Sequence, residues 1–154
     1  MKKIFFLVTL SVSIILNIGL VYLFFIKGET IKSTDNRTAI IMSKDNKAFV
    51  LKEMRDFLES VQQINEGILN NNSQLIIDAG KKSGGSVIER APKGLMKSLP
   101  SGFKSFGFST HKIFDDFSSI TQENYDKNNT QQQLNKLLNN CISCHRSYKI
   151  EVKD

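Results

Sequence analysis

The sequence predicts an all-α protein in which an antiparallel four-helix bundle follows an N-terminal transmembrane helix. Three observations lead to this prediction. The chain opens with a long uncharged apolar run, its body carries apolar residues at the spacing of an amphipathic helix, and no stretch alternates convincingly at the period of two that marks a half-buried strand. A chain of 154 residues leaves room for one modest domain after the apolar run.

The apolar run extends from Ile4 to Ile26, directly after Lys2 and Lys3. It is longer than the roughly 7–15 apolar residues of a signal peptide and reaches the roughly 20 that a membrane span requires. We therefore expect residues 1–27 to be an uncleaved signal-anchor that crosses the inner membrane once. The lysines favour a cytoplasmic N-terminus and a periplasmic body. The alternative is a cleaved signal, which would leave a soluble periplasmic protein.

The segment 28–45 is polar apart from Ala39 to Met42, and we expect it to be a tether that leads into the helical domain, residues 46–154. Asp45-Asn46 is the predicted N-terminal cap of the first helix. In that helix an apolar stripe alternates steps of four and three, and further leucines widen it. The stripe comprises Val50, Met54, Phe57, Val61, Ile64 and Ile68, and the widening residues are Leu51, Leu58 and Leu69.

Three more helices complete the predicted bundle. Ser73 caps the second, which Gly84-Gly85 ends, and a loop-like region with both prolines follows over residues 86–102. The third runs from about Phe103 to Tyr125, and the fourth starts near Thr130. The predicted apolar faces of these helices are, in chain order, Leu75, Ile76 and Ala79; Phe106, Ile113, Phe114, Phe117 and Ile120; and Leu134, Leu138, Cys141, His145 and Tyr148.

The formal net charge is +6, but Lys2, Lys3 and Lys27 flank the apolar run, so the rest of the chain is only mildly basic. This gives no support for nucleic-acid binding. Basic residues cluster around the loop-like region against a single acid, Glu89. The cluster is either a solvated surface or a docking patch for an acidic redox partner. Its members are Lys81, Lys82, Arg90, Lys93, Lys97 and Lys104.

The fourth helix carries the motif Cys141-Ile142-Ser143-Cys144-His145, which is typical of covalent c-type haem attachment. On a helix the two cysteines lie about one turn apart, in reach of the two vinyl groups of one porphyrin, and His145 projects from the same face toward the iron. The sequence thus predicts one haem c, bound through Cys141 and Cys144, with His145 as the proximal iron ligand.

The other interpretations of the motif are weaker. A thioredoxin-like dithiol is expected beside a βαβ pattern, which the sequence lacks. A structural zinc ion requires a fourth ligand, and a simple disulfide leaves His145 unexplained.

A four-helix bundle that carries this motif on its last helix resembles the cytochrome c-prime family. The resemblance covers roughly residues 45–149. It includes Tyr148 and Lys149, although family members more often have Arg at the latter position. The stretch from Leu99 to Lys104, followed by His111 and Phe114-Asp115, also resembles bacterial relatives in this group. Only residues 146–154 follow the motif, so any sixth iron ligand must come from upstream.

The resemblance implies that a side chain of the first helix covers the distal haem face. In one branch of the family it is a Met that ligates iron, and in the other it is an apolar residue that leaves a pocket open to small gases. Met54 is the candidate by position, and the alternative is that it only fills the core. Met42, before the stripe, and Met96, in the loop-like region, are poorer candidates.

His111 is the secondary candidate. A lone histidine on a helix is usually a surface or hydrogen-bonded residue. Phe108 and Phe114 lie about one turn on either side and favour a position near the haem edge, where His111 would hold a propionate. A less favoured role is that of distal ligand in place of Met54, and either role would make the haem's properties depend on pH.

Together these features predict a membrane-tethered periplasmic monohaem cytochrome that exchanges single electrons with redox proteins at the membrane and is not an enzyme. The main alternative is a protein with five-coordinate iron that binds NO or CO, in which Met54 only walls the pocket. A third interpretation is an accessory subunit of a larger respiratory complex. The resemblance also implies homodimers that form through the first two helices.

Overall fold

A computed structural model describes residues 2–153, apart from the side chains of Phe24 and Phe25. Helices predominate in this part of the chain. The elements in chain order are α1 (Lys2–Val21), a π-helical turn (Tyr22–Ile26), β1 (Thr30–Lys32), β2 (Thr38–Met42), α2 (Lys44–Asn70), α3 (Ser73–Ser83), a 3₁₀ helix (Gly85–Arg90), α4 (Leu95–Ser98), α5 (Ser101–Glu123), α6 (Lys127–Ser147) and β3 (Tyr148–Val152). In the helical body, α2 packs on α3 and α6, and α5 packs on the same two helices.

The N-terminal apolar helix is present as predicted. No residue of α1 is buried, and its length and hydropathy suffice to cross a membrane, a test that a signal sequence also passes. An exposed helix of this composition is unstable in water, because every apolar side chain on it stays hydrated. The structure therefore supports a segment that inserts into a membrane.

Helix α2 begins earlier than predicted. The predicted cap at Asp45-Asn46 was wrong, because Ser43 is the cap and its Oγ accepts a hydrogen bond from the Asn46 N–H at 3.2 Å. Asp45 instead lies in the first turn, where the helix dipole favours a carboxylate. The helix ends as expected, with Asn71 in the left-handed conformation at φ 52°.

The segment between α3 and α5 is more ordered than the predicted loop. It contains the 3₁₀ helix and α4, and it buries Val87, Leu95 and Leu99. Helix α5 then begins at Ser101, directly after Pro100. A proline is tolerated at the start of a helix, because an N–H at this position would have no partner within the helix. This segment therefore forms a packed wall at one end of the helical body.

A three-stranded sheet lies at the same end, and its presence corrects the prediction of a purely helical domain. Strand β1 pairs antiparallel with β2, and β2 pairs parallel with β3 in a register that places Thr38 opposite Tyr148 and Met42 opposite Val152. The segment 28–45, predicted to be a tether, thus supplies two strands. The pattern was missed because β2 is buried on both faces at Ile40 and at its neighbours, so its sequence does not alternate.

The buried side chains form two clusters. The first fills the middle of the helical body and comprises Ile64, Ile68, Ile76, Ala79, Ile113, Phe114, Phe117, Leu134 and Leu137. The second joins the sheet to the helices and comprises Ile40, Met42, Val50, Leu95, Leu99 and Phe103. Helices α3 and α5 approach closely at Gly80, because a Cβ on this residue would lie 2.6 Å from the Phe114 carbonyl oxygen.

Several predicted core positions are exposed instead. On α2, Leu58 and Leu69 are 70% and 66% exposed, so the buried stripe is narrower than predicted. On α5, Ile120 is 37% exposed. On α6 the face is rotated by about one residue, because Leu137 is fully buried whereas Leu138 is 38% exposed. These differences arise because sequence periodicity fixes the direction of a helix face only to within about one residue.

Leu137→Ala and Leu138→Ala form a matched pair that tests this rotation. Truncation of Leu137 leaves a cavity in the first cluster and is expected to lower the free energy of unfolding by about 2–5 kcal/mol. Truncation of Leu138 is expected to lower it by less than about 1 kcal/mol, because that side chain is partly hydrated already. Urea unfolding of the full chain in detergent, followed by circular dichroism, measures both. Equal losses would contradict the described orientation of α6.

Candidate cofactor-binding site

A cleft with about 850 Å³ of empty space, open to solvent, lies at one end of the helical body. Its walls come from the first turns of α2 and α5, the last turns of α6 and the segment between α3 and α5. The lining is mostly apolar and includes Leu95, Leu99, Phe103 and Phe106. An apolar cleft with a few polar groups in its wall is typical of a site for a cofactor or another ligand.

The motif of α6 lies in the wall of this cleft. Cys141, Cys144 and His145 all line it, from the last two turns of the helix. Cys141 packs against the first core cluster and Cys144 against the second, so both sulfur-bearing side chains are half-buried, and His145 is exposed. Both cysteines are free thiols. The structure therefore brings the three predicted attachment residues to one surface of one cleft.

Asn140, next to the motif, attaches α6 to α5, and sequence analysis did not identify it. Its side-chain amide donates to the Thr110 hydroxyl at 2.8 Å and to the Phe106 carbonyl at 3.2 Å. The Thr110 hydroxyl in turn donates to the Phe106 carbonyl at 2.9 Å. Since these bonds lie one residue before Cys141, they fix the motif relative to the opposite wall of the cleft.

The two thiols differ from reactive cysteines. Burial raises the pKa of Cys141, and burial together with the nearby Cys141 raises the pKa of Cys144 to about 11. A redox-active CxxC pair instead has a lowered thiol pKa, often at a helix N-terminus. Here the pair lies at the C-terminal end of α6, where the helix dipole disfavours a thiolate. This geometry argues against a thioredoxin-like dithiol.

A metal ion bound by the protein alone has no support either. Among residues 2–153, no group of three or more His, Cys, Asp or Glu side chains is close enough to hold a metal ion. The motif side chains themselves thus do not converge as ligands of a single ion, which a structural zinc site would require.

Met54 lies across the cleft from the motif. It is half-buried on α2, about one turn after Val50, and like Cys144 it packs against the second cluster. Met54, Cys144 and His145 also line a smaller adjoining cavity of about 520 Å³. The structure therefore places the predicted distal candidate on the same open space as the motif, on a different helix.

His111 also lines the cleft, from α5, and its ring is fixed in orientation. Its Nδ1 lies 2.8 Å from the Ser83 carbonyl oxygen, and because a carbonyl only accepts, Nδ1 carries the proton and donates. The Phe57 ring packs edge-on against it at a centroid distance of 5.1 Å. This arrangement leaves the lone pair on Nε2, the nitrogen that a ligating or hydrogen-bonding histidine would present.

Glu53 is a buried carboxylate in the cleft wall that sequence analysis did not identify. Its side chain is only 9% exposed. Burial, together with the nearby Asp56, raises its pKa, while Lys52, His111 and Arg90 act in the opposite direction. A signal was available, because Glu53 lies three residues after Val50 and therefore at the border of the apolar stripe.

Lys104 is a second ionisable group of the cleft, on the first turns of α5. It is half-buried, and burial lowers its pKa. Sequence analysis counted it as part of the basic surface cluster, whereas the structure places it beside Phe103 and Phe106 in the cleft wall.

The donor set fits a covalently bound haem. Two thiols one helical turn apart, an imidazole from the next residue and a thioether across an apolar cleft are the groups that hold a c-type haem. The half-buried thiols border the space that the porphyrin would fill, and the exposed His145 borders both cavities.

Comparison with protein-family models, with curated proteins and with solved structures gives no match for this chain. The resemblance to the cytochrome c-prime family therefore stays a prediction that depends on the motif and the order of the helices.

Glu53→Gln tests the burial of this carboxyl group in the cleft wall. A carboxyl pKa raised by folding makes the free energy of unfolding fall as pH increases from the unfolded pKa toward the folded one. Glu53→Gln removes this loss, so the variant is expected to be more stable than the unchanged chain at pH 7 and to gain nothing at pH 4. Urea unfolding in detergent at the two pH values measures the difference.

Glu66→Gln is the matched control, since Glu66 is exposed on the same helix and makes only a hydrogen bond with Gln62. Its stability is expected to follow that of the unchanged chain at both pH values. A Glu53→Gln variant that is less stable at pH 7 would show that the carboxylate has a stabilising partner, and would contradict this account.

Proposed function

We propose that this protein is a membrane-anchored c-type cytochrome of the periplasm that carries one covalent haem and transfers one electron at a time. The observation that carries the proposal is that Cys141, Cys144 and His145 line an apolar cleft that Met54 borders from another helix. The body around that cleft is mostly helical, and α2, α3, α5 and α6 pack on one another beside a small sheet, which supports the proposal.

When bound, haem supplies a one-electron couple between ferric and ferrous iron. Cys141 and Cys144 would hold the group through thioether bonds, and before attachment burial raises the pKa of both thiols. His145 would supply an imidazole and Met54 a thioether to the iron. These two ligands would favour the reduced state and one-electron transfer.

Other side chains in the walls of the cleft also contribute to the proposed function. Leu95, Leu99 and Phe103 exclude water from the cofactor site, so little solvent has to reorganise when the charge changes. Lys104 provides a positive charge inside the cleft, which favours a cofactor that bears carboxylates. His111, whose Nδ1 donates to the Ser83 carbonyl, keeps a lone pair on Nε2 and is a candidate hydrogen-bond acceptor in the same cleft.

The anchor determines where this chemistry takes place. Helix α1 is exposed and apolar and, at 1.5 Å per residue, is on the order of 30 Å long, enough to cross a bilayer. Covalent haem attachment is the reason to place the helical body in the periplasm, with Lys2 and Lys3 at the cytoplasmic end of α1. Its partners are then redox proteins at the membrane, and the exposed Leu58 and Leu69 of α2 are available for a homodimer.

A second candidate function is the binding of NO or CO at five-coordinate iron. The observation that favours it is the aromatic character of one cleft wall, where Phe57 packs edge-on against His111 and stacks at 5.3 Å on Phe114 of the first core cluster behind it. In this case Met54 would only wall the pocket. The two functions differ in one property, which is whether the Met54 sulfur binds the iron.

Met54→Ala and Met96→Ala are a matched pair for this property, since both methionines line the cleft. In the haem-loaded chain, the ferric absorption spectrum is expected to be low-spin, with the weak far-red band of a sulfur–iron bond. The band is expected to disappear in Met54→Ala and to remain in Met96→Ala. The reduced Met54→Ala variant is also expected to bind CO much faster than the unchanged protein.

Other spectra would contradict this assignment. A high-spin spectrum that neither substitution alters, with rapid CO binding by the unchanged protein, would favour the gas-binding function. A low-spin spectrum without the far-red band, altered by His111→Ala and not by Met54→Ala, would identify His111 as the distal ligand.

A further inference from the structure

The membrane helix joins the helical body without a flexible spacer. The π-helical turn at its end packs on α4, which also walls the cleft. Two residues beyond Lys27, the backbone N–H of Glu29 already donates to the Ser98 carbonyl at 2.9 Å. The chain is therefore bound to the domain as soon as it leaves the apolar segment.

Gly28 makes this junction tight. Its φ of +61° lies in the left-handed region, and a Cβ on this residue would lie 2.4 Å from the Pro100 nitrogen. A residue with a side chain would be strained in conformation and would also clash with the backbone before α5. The junction thus depends on a glycine at this position.

The sheet extends the junction across the domain. The Glu29 carbonyl accepts a hydrogen bond from the Ile41 N–H at 2.8 Å, and the Glu29 carboxylate lies 3.5 Å from the Lys153 ammonium. Through β2 the anchor is connected to the start of α2, and through β3 to the end of the helix that carries the motif. The anchor and the cleft are parts of one hydrogen-bonded unit.

The segments that meet at this junction are basic. Five lysines lie on them, against the acids Glu29 and Asp45. We call these lysines the junction lysines: Lys27, Lys44, Lys93, Lys97 and Lys153. A shallow cavity is lined jointly by Glu29, Lys44, Gly94, Ser98 and Lys153, which shows that four of these segments come together.

We propose that the junction lysines form a surface that lies on the anionic phospholipid headgroups of the membrane that α1 crosses. Lysines next to a membrane helix are attracted to such headgroups, and the fixed junction holds this surface at the level where the apolar segment ends. This inference rests on the part of the proposed function that inserts α1 into the membrane, and it is independent of whether haem is bound.

The consequence for function is a fixed orientation. Residues 91–99 lie just before α5 and include Lys93 and Lys97 of the junction. They form one wall of the cleft through Leu95, Met96 and Leu99. With the junction lysines on the headgroups, this wall faces the bilayer, and the cleft stands at the membrane surface. The electron partner that such a cleft suits is embedded in the membrane or docked on it, not one diffusing through the periplasm.

The test measures contact with the headgroups by electron paramagnetic resonance. The full haem-loaded chain is reconstituted in vesicles of phosphatidylcholine with about 30% anionic phosphatidylglycerol and a trace of nickel-chelating lipid. A nitroxide is attached to Lys93→Cys or, as the matched control, to Asn128→Cys at the far end of α6. Relaxation of the label by lipid-bound nickel is expected to be several-fold greater at position 93 than at position 128.

Two further conditions test the cause. Gly28→Val should release the junction and bring the two labels to similar relaxation, while the haem absorption spectrum of the same sample stays unchanged. In the chain that keeps Gly28, raising the salt concentration or leaving out phosphatidylglycerol should reduce the difference in relaxation between positions 93 and 128. Screening or removal of the anionic charge weakens the attraction of the lysines. These results together would support the proposal, and the salt series supports it even if Gly28→Val does not fold.

Three results of the relaxation measurement would overturn the proposed contact with the headgroups. Equal relaxation at the two positions means that the domain moves freely above the membrane. Shielding of position 93 from both lipid-bound and water-soluble nickel means that another protein covers this surface. A difference that neither salt nor lipid composition alters means that the headgroup charge is not recognised.

Failure of the proposed function has a different signature. An absorption spectrum without haem would contradict the cytochrome assignment, and the relaxation experiment can still be made after Cys141→Ser and Cys144→Ser remove the native thiols. An intact mass that lacks the first helix would overturn the docking proposal and leave the haem assignment in place.

Discussion

The parallel pairing of β2 with β3 is the constraint on which the rest of this structure depends. Strand β2 leads through Ser43 directly into α2, and β3 follows α6 without a break. A register that runs from Thr38 opposite Tyr148 to Met42 opposite Val152 therefore fixes the start of one helix against the end of another. Met54 lies on the first of these helices and the CxxCH motif on the second.

Tyr148 connects this pairing to the third wall of the cleft. Its ring packs edge-on against Phe103 at 5.6 Å and Phe106 at 6.3 Å, both on α5. Gly102 allows this approach, since a Cβ there would lie 2.3 Å from the Tyr148 hydroxyl. The ends of α2, α5 and α6 are thus held apart around an open space by a few contacts in the second core cluster. These contacts therefore position the three walls of the cleft relative to one another.

Much of this arrangement follows from local sequence, and the rest depends on contacts between distant segments. Helices α2 and α5 follow from apolar residues at steps of three and four, and the haem motif from two cysteines and a histidine. The sheet does not follow, because β1 has three residues and β3 pairs with a strand near the other end of the chain. The depth of individual side chains, such as the buried Leu137 beside the exposed Leu138, is likewise set by packing partners that periodicity does not specify.

The side chains that line the cleft show the same division between what local sequence predicts and what distant contacts decide. Cys141, Cys144, His145, Met54 and His111 were identified from the sequence, and the structure gathers all five around one cleft. Glu53 was not identified and Lys104 was assigned to the basic cluster, because the sequence does not reveal that the connection after α3 lines the same cleft as these two residues. The same connection joins the cleft to the membrane helix, so the chemistry and the location of the protein depend on one segment.

The central claim is that Cys141 and Cys144 hold one haem in this cleft. The most direct measurement is the intact mass of the full chain, produced in a host that assembles c-type cytochromes, together with the spectrum of its reduced pyridine complex. The account predicts a chain heavier by one haem, with a spectrum typical of two thioether bonds, and a spectrum typical of a single bond in any haem retained by Cys141→Ser or Cys144→Ser. A chain with the mass of the polypeptide alone, from a host that attaches haem to a control cytochrome, would contradict the account.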